Sequence, residues 1–329
     1  MIKELLHQSL NITNKDNVCI IHDVSGIDIA SDIQYALNQQ AKLIHVGNDL
    51  ALNFPEELKN ILLGDEFNVI IIAIKREQDI WHRDERRRAK KELGKRLVSI
   101  IVPHEVFIDK AFQIDLSLVG ELADYVYSKL IGKESIRIES ENGTNISAEI
   151  SGVFKENGDY ASSGSGGDFP PGEVGLFIKE GSMFGRIVYD LKVRYLGRVK
   201  AGDVILTIEK DKIENISGSK AKEFEEILSK DKVLAFISEI SIGVNPHIKN
   251  YPSPHTIVEE KMAGTVHFGH GSNGAYGTRR GCHFDCVISN PTVFINGLLL
   301  MRNGKFVSDD MTGDLVGKLR QFGLVKDES

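Results

Sequence analysis

Near Ser135 the sequence changes its hydrophobic period, and that change restricts the chain to a two-part architecture. Before it, short apolar runs alternate with helical patterns. "NVCIIHD" (17–23), "AKLIHVG" (41–47), "FNVIIIAI" (67–74) and "LVSIIVP" (97–103) read as strands. "IASDIQYALNQQ", "WHRDERRRAKKELGKR" and "SLVGELADYVYSKLIG" read as helices. Apolar strands separated by helices predict a parallel sheet covered on both faces. After Ser135, "SIRIES" and "NISAEISG" alternate apolar and polar residues around a turn with Asn142-Gly143, a strong hairpin signal. "GEVGLFI", "GRIVYDLKVRYLG", "GDVILTIEKDKIENISG" and "VLAFISEISIGV" continue as strands, interrupted by one helical stretch, "KAKEFEEILSK". The expected fold is α+β. An α/β parallel-sheet domain spans residues 1–133, and a mainly antiparallel β domain spans 134–329.

The first domain lacks the means to hold a dinucleotide. "HDVSGID" follows its first strand, where a glycine-rich phosphate loop would stand. "GHGSNG" satisfies G-x-G-x-x-G, yet no helical pattern follows it. The loop "ASSGSGGDFPPGE" (161–173) reads either as a lid or as a plain connection.

The 329 residues carry a net charge of −7, which argues against general nucleic-acid binding. The basic run near residue 85 also carries acids and reads as a solvated helix face. No apolar run is long enough to span a membrane, and the N-terminus lacks a signal-peptide pattern. These features predict a cytoplasmic protein with reduced cysteines, Cys19 in the core, and Cys282 and Cys286 as packing residues.

Chemistry concentrates in "GTVHFGHGSNGAYGTRRGCHFDC" (264–286). In "HFD", His283 and Asp285 lie two apart, so on a strand they share a face and suit a divalent metal. His267, in the strand-like "GTVHFG", would join them if the two strands form a hairpin. Two histidines and a carboxylate make a facial triad; further carboxylates make a two-metal site. Two acids qualify: Glu239 interrupts an apolar strand, where a carboxylate is costly unless paired or bound, and Glu173 opens another. His270 reads as a solvated histidine or a substrate contact. Arg279 and Arg280 read as a surface loop or a clamp for a substrate carboxylate.

Several blocks, in order, resemble the aminopeptidase T family of metalloaminopeptidases. "ENGTNISAEISG", "FPPGEV", "SEISIGVNP", "EKMAGTVHFGHG" and "CHFD" each resemble a family block, over roughly Ser135 to Gly304. The resemblance implies Glu173, Glu239, His267, His283 and Asp285 as ligands of two divalent ions, zinc, cobalt or manganese. It also implies hydrolysis of N-terminal residues from peptides by an activated water, and a homodimer or higher homo-oligomer. Glu260 and Glu180 are the candidate proton shuttles. The family's tyrosine ligand falls at Gly274 by spacing; Tyr276 is the nearest tyrosine. The stretch from His267 to His283 is shorter than in the peptidases. That feature, with "TRRGCHFD", resembles 2,5-dihydroxypyridine dioxygenase, which has the same fold and uses one iron(II). That enzyme has a histidine where Glu239 stands and no counterpart of His267. Hydrolysis is therefore the first expectation. Ring cleavage, or another reaction on a small carboxylated or aromatic molecule, is the alternative.

Overall fold

The computed structural model describes residues 1–47, 56–74, 83–110, 112–249, 256–272 and 281–325. Two compact units emerge. One comprises Met1–Leu116 with Gly158–Pro171; the other comprises Ser117–Asn157 with Gly172–Ser329.

The first unit contains β1 (Val18–His22), α1 (Ile27–Ala36), β2 (Lys42–His45), α2 (Glu56–Leu63), β3 (Val69–Ala73), α3 (Arg83–Lys91), β4 (Arg96–Ile100) and α4 (His104–Phe107). β1, β3 and β4 are buried along their whole length, which explains their unbroken apolar runs. Strand order is β2-β1-β3-β4, every pair parallel.

The helix α5 (Leu116–Leu130) opens the second unit, followed by the hairpin of β5 (Ser135–Glu139) and β6 (Asn145–Glu156). Gly143 turns it with φ +101°, a backbone state that favours glycine. The chain then returns to the first unit and adds β7 (Asp168–Phe169) parallel to β4. This is the loop that read as a lid or a connection. It contributes the two-residue strand Asp168–Phe169 to the sheet, and Gly166 lies so close to β4 that a Cβ there would stand 1.9 Å from the Leu97 carbonyl oxygen.

The rest of the second unit runs β8 (Glu173–Ile178), β9 (Phe184–Tyr189), β10 (Lys192–Val193), β11 (Gly197–Arg198), β12 (Val204–Glu209), β13 (Lys212–Ser217), α6 (Ala221–Leu228), β14 (Ile237–Gly243), α7 (Thr256–Lys261), β15 (Val266–Gly271), β16 (His283–Ile288), β17 (Thr292–Ile295), β18 (Leu298–Arg302), β19 (Lys305–Phe306) and α8 (Gly313–Gln321). Its strands form one antiparallel sheet, in which β6-β8-β14-β15-β16 are consecutive neighbours.

The expected α+β two-domain class is the one observed. The single cut near residue 133 is not, because α5 belongs to the second unit. Leu118, Leu122, Ala123, Val126 and Leu130 of α5 pack in one apolar cluster with Ile136, Ile146 and Val174 of the antiparallel sheet. Thr312 caps α8 by accepting from the Leu315 N–H. Leu122→Ala should therefore destabilise the second unit by about 2–5 kcal/mol, read as an earlier denaturation of that unit in urea.

Candidate metal centre

The expected hairpin forms: β15 and β16 pair antiparallel, with Val287 opposite His267, Asp285 opposite Gly269 and His283 opposite Gly271. Side chains alternate along each strand, so His267, Gly269 and Gly271 share a face with His283 and Asp285. β14 adds Glu239 opposite Gly269 and Ser241 opposite His267. β8 adds Glu173, opposite Gly243. Four adjacent strands thus bring all five expected ligands to one face.

Two local devices make this possible. A bulge between Ile237 and Glu239 breaks the two-residue period of β14. Ile237 turns into the apolar core while Glu239 turns toward the histidines. The second device is Gly269. A Cβ there would lie 2.8 Å from His283 Cε1, 2.9 Å from Glu239 Cβ and 3.3 Å from Asp285 Oδ1. The missing side chain is the space in which those three groups meet.

Both imidazoles are oriented through Nδ1. His267 Nδ1 donates to the Glu260 carbonyl at 3.2 Å, and His283 Nδ1 donates to the Ser272 carbonyl at 2.7 Å. A carbonyl only accepts, so each ring presents Nε2 to the site. His267 Nε2 stands 3.2 Å from Glu173 Oε2 and 3.9 Å from Glu239 Oε1, and His283 Nε2 stands 3.0 Å from Asp285 Oδ1. One ligand atom from each of Glu173, Glu239 and His267 lies within 4.8 Å of the others.

Charge is unevenly shared. Burial works to raise the Glu173 carboxyl, but Lys261 and then His267 outweigh it and hold it below the usual range. Burial would lower His267; the hydrogen bond and charge of Glu173 reverse this and push it up to about 9. Glu239 is pushed upward, chiefly by burial and with Asp285 and Glu173 adding repulsion, although His283 opposes the shift. A carboxylate disfavoured in this way is stabilised by a divalent cation beside it. Imidazole nitrogens, carboxylate oxygens and the space at Gly269 fit such an ion, with Glu239, His283, Asp285, Glu173 and His267 as its possible holders.

The other expected residues divide. Glu260 is buried on α7, with its Oε1 3.9 Å from Lys261 Nζ, beside the centre. Glu180 is exposed, beyond the end of β8 opposite to Glu173, roughly 20 Å along the strand, and is no proton shuttle for this centre. His270 is corrected as well: it is neither solvated nor a substrate contact. It points to the opposite face, fully buried, and stacks on Phe284 at 4.8 Å. Its Nδ1 donates to the Leu234 carbonyl and its Nε2 accepts from the Tyr189 hydroxyl at 2.7 Å, so the neutral ring is satisfied. Burial pushes it down to about 4. Tyr276, Arg279 and Arg280 lie outside the described residues. Cys19 and Cys286 are buried and Cys282 is half-buried, all as free thiols.

Three contributors escaped the sequence reading. Ser241 donates to Glu239 Oε1 at 3.0 Å. Glu156 lies directly opposite Glu173 in the sheet. Lys261, 2% exposed, reaches both, at 3.3 Å and 2.8 Å. The "EK" preceding "GTVH" carried the signal for Lys261. Glu156 carried none, because its role depends on strand register.

A buried centre of carboxylates and histidines on an antiparallel sheet, joined to a parallel-sheet unit, defines a two-domain metal-binding enzyme. A family model described as NicX, 2,5-dihydroxypyridine 5,6-dioxygenase, matches residues 67–308, and the chain belongs to that family. A search of curated proteins gives no match. Among solved structures, the 2,5-dihydroxypyridine dioxygenase from Pseudomonas putida KT2440 is similar with a TM-score of 0.78 and 17% identity, over 94% of this chain and 96% of that one. Wild-type AmpT from Thermus thermophilus is similar with a TM-score of 0.63 and 13% identity, over 93% of this chain and 98% of that one. At these identities both share the fold.

Two outcomes follow from the geometry. Gly269→Ala should leave a folded protein whose metal affinity falls about 10–100-fold, measured by elemental analysis after dialysis. His270 stays neutral in the fold to about pH 4, whereas an unfolded histidine takes up its proton near 6.5. The unfolded state binds more protons between those values, so stability falls as pH drops through that window, by about 3 kcal/mol for this residue. Urea titrations at pH 7 and pH 4 should show this loss in the wild type, and a smaller one in His270→Phe.

Proposed function

We propose that this protein is an iron(II)-dependent dioxygenase that opens a small hydroxylated aromatic ring of the dihydroxypyridine type. The observation that carries this reading is the family match, which spans every strand supplying a ligand. Iron(II), when bound, would supply the redox chemistry that lets dioxygen react with a ring. The chain's own residues supply the setting. Glu239, His283 and Asp285 would hold the ion around the Gly269 gap, with His267 as a further nitrogen donor. The Ser272 and Glu260 carbonyls keep both imidazoles aimed, and burial of the centre keeps bulk water away. Glu260 is the group proposed to take and return a proton at its carboxylate.

A second reading, hydrolysis of N-terminal residues from peptides, draws on a specific observation. Glu239 and His267 follow the peptidase ligand pattern, and with Glu173 they already converge on one point. Zinc, cobalt or manganese ions would then polarise a carbonyl and acidify a water. Family membership favours the dioxygenase.

The two readings separate in one experiment. Protein purified anaerobically and loaded with iron(II) should consume dioxygen when given 2,5-dihydroxypyridine, with loss of the ring's ultraviolet absorbance. His283→Ala should reduce that turnover at least about 100-fold while the far-ultraviolet circular dichroism stays unchanged. Release of leucine from a leucyl dipeptide by the zinc-, cobalt- or manganese-loaded protein, with no dioxygen uptake by the iron-loaded one across a panel of dihydroxypyridines and catechols, would replace the first reading with the second.

A further inference from the structure

Helix α7 ends on three consecutive charged residues, Glu259, Glu260 and Lys261, and all three are buried. Charged side chains are rarely buried so deeply unless they are paired. Two of the three serve the centre directly. The Glu260 carbonyl accepts from His267 Nδ1, and Lys261 Nζ meets Glu173 Oε1 at 2.8 Å. Glu259 instead faces the edge of the sheet. Its Oε2 lies 3.1 Å from Lys192 Nζ, and its Oε1 accepts from Arg198 at 2.8 Å. Lys192 and Arg198 stand directly opposite one another in the β10–β11 pair. Like charges so placed repel, and the carboxylate that both share offsets the repulsion. Lys192 and Glu259 are almost wholly buried, whereas Arg198 reaches the surface.

Register ties this ion cluster to the centre. Lys192 is opposite Val287 in β16, and Val287 is opposite His267 in β15. Residues directly opposite in a ladder share a face, so Lys192 lies on the metal-binding face, two strands from His267. Successive residues of a helix point about 100° apart. Glu259 and Lys261 therefore brace α7 from different sides, and the Glu260 carbonyl that aims His267 lies between them. Loss of the Glu259 charge takes a counter-ion from a buried ammonium, which is costly enough to shift the elements around it. We propose that Glu259, with Lys192, is a positioning residue for the metal centre. The pair clamps α7 to the sheet edge and so sets where the Glu260 carbonyl and the Lys261 ammonium meet His267 and Glu173. The clamp acts through those two contacts and not by touching a reacting atom. The inference rests on the metal-binding reading of the centre, and it extends that reading to the edge strands β10 and β11.

The test is an anaerobic titration of chelator-stripped protein with cobalt(II). It is read by equilibrium dialysis and by the visible absorption bands, which report the geometry of the ion's ligands. Glu259→Gln keeps the side chain's shape and removes its charge. It should weaken cobalt binding about 10-fold and shift the bands, with the far-ultraviolet circular dichroism unchanged. Lys192→Met should act in the same direction. The double variant should lose no more than the larger single loss, because both residues belong to one clamp. Lys212→Ala, which breaks the exposed pair with Glu214, should match the wild type in affinity and spectrum. Affinity within about twofold of the wild type in folded Glu259→Gln would overturn the proposal. So would additive losses in the double variant. If Glu259→Gln fails to fold, Arg198→Ala decides. It should weaken binding about threefold with a band shift, and unchanged affinity and bands would overturn the clamp. Dioxygen uptake is measured separately. A wild type that binds cobalt, responds to these variants as expected and opens no ring would count against the dioxygenase and leave this proposal standing. A wild type that binds no cobalt would overturn the metal centre and the clamp with it.

Discussion

The side chains of Glu239, His283 and Asp285 can meet because the strand between theirs carries no side chain at Gly269. Strand spacing places residues two ladders apart at roughly 10 Å, too far for direct contact between short side chains. An empty central position lets both neighbours lean inward. The bulge in β14 then supplies the right parity, turning Glu239 to this face and Ile237 to the core. Register, bulge and glycine act as one device, and every other feature of the centre is arranged around it.

Electrostatics explains why such a site persists in a stable sheet. Glu156, Glu173 and Glu260 gather around one buried ammonium, while Glu239 and Asp285 lie beside the two imidazoles. Clustered buried carboxylates are costly unless neutralised. Lys261 offsets part of that charge in the protein itself, and a divalent ion offsets more. The opposite face shows the contrary solution. Tyr189, His270, Phe268, Phe284 and Cys286 pack there without net charge, and His270 remains neutral because its two nitrogens are both satisfied. One sheet thus carries a charged face and an apolar face, which the alternation of β15 and β16 keeps apart.

The relation to the two similar solved folds has a physical side. A shared scaffold fixes where β8, β14, β15 and β16 place their side chains, while the chemistry depends on which residues occupy those positions. Here the family is that of the dioxygenase, and the aminopeptidase shares the fold alone. The number of ions held is therefore a more informative property of this centre than the outline of the fold.

Much of the site was legible because its signals are local. The H-x-D pair, the isolated acid in an apolar strand and the histidine ahead of a glycine-rich stretch need only the two-residue period to be placed on one face. The hairpin of β5 and β6 was equally local, marked by Asn142-Gly143. Other features were invisible for a definite reason. The pairing of Glu156 with Glu173, and the place of Lys261 between them, join residues 17 and 105 positions apart through sheet register. His270 lies three positions from His267 and so faces away by the same period, but only the structure shows that β15 runs on through it to Gly271 rather than ending at the glycine-rich stretch. Nor could it assign α5 to the second unit, since a helix that follows a parallel-sheet pattern can pack on either core. The sequence by itself determined the order of the main elements, the change of sheet type and which side chains are candidate donors, all of which follow from nearest-neighbour periodicity. Only the tertiary structure decided which donors share a point in space and which charge stands among them, because cross-strand register and burial are properties of the folded chain as a whole.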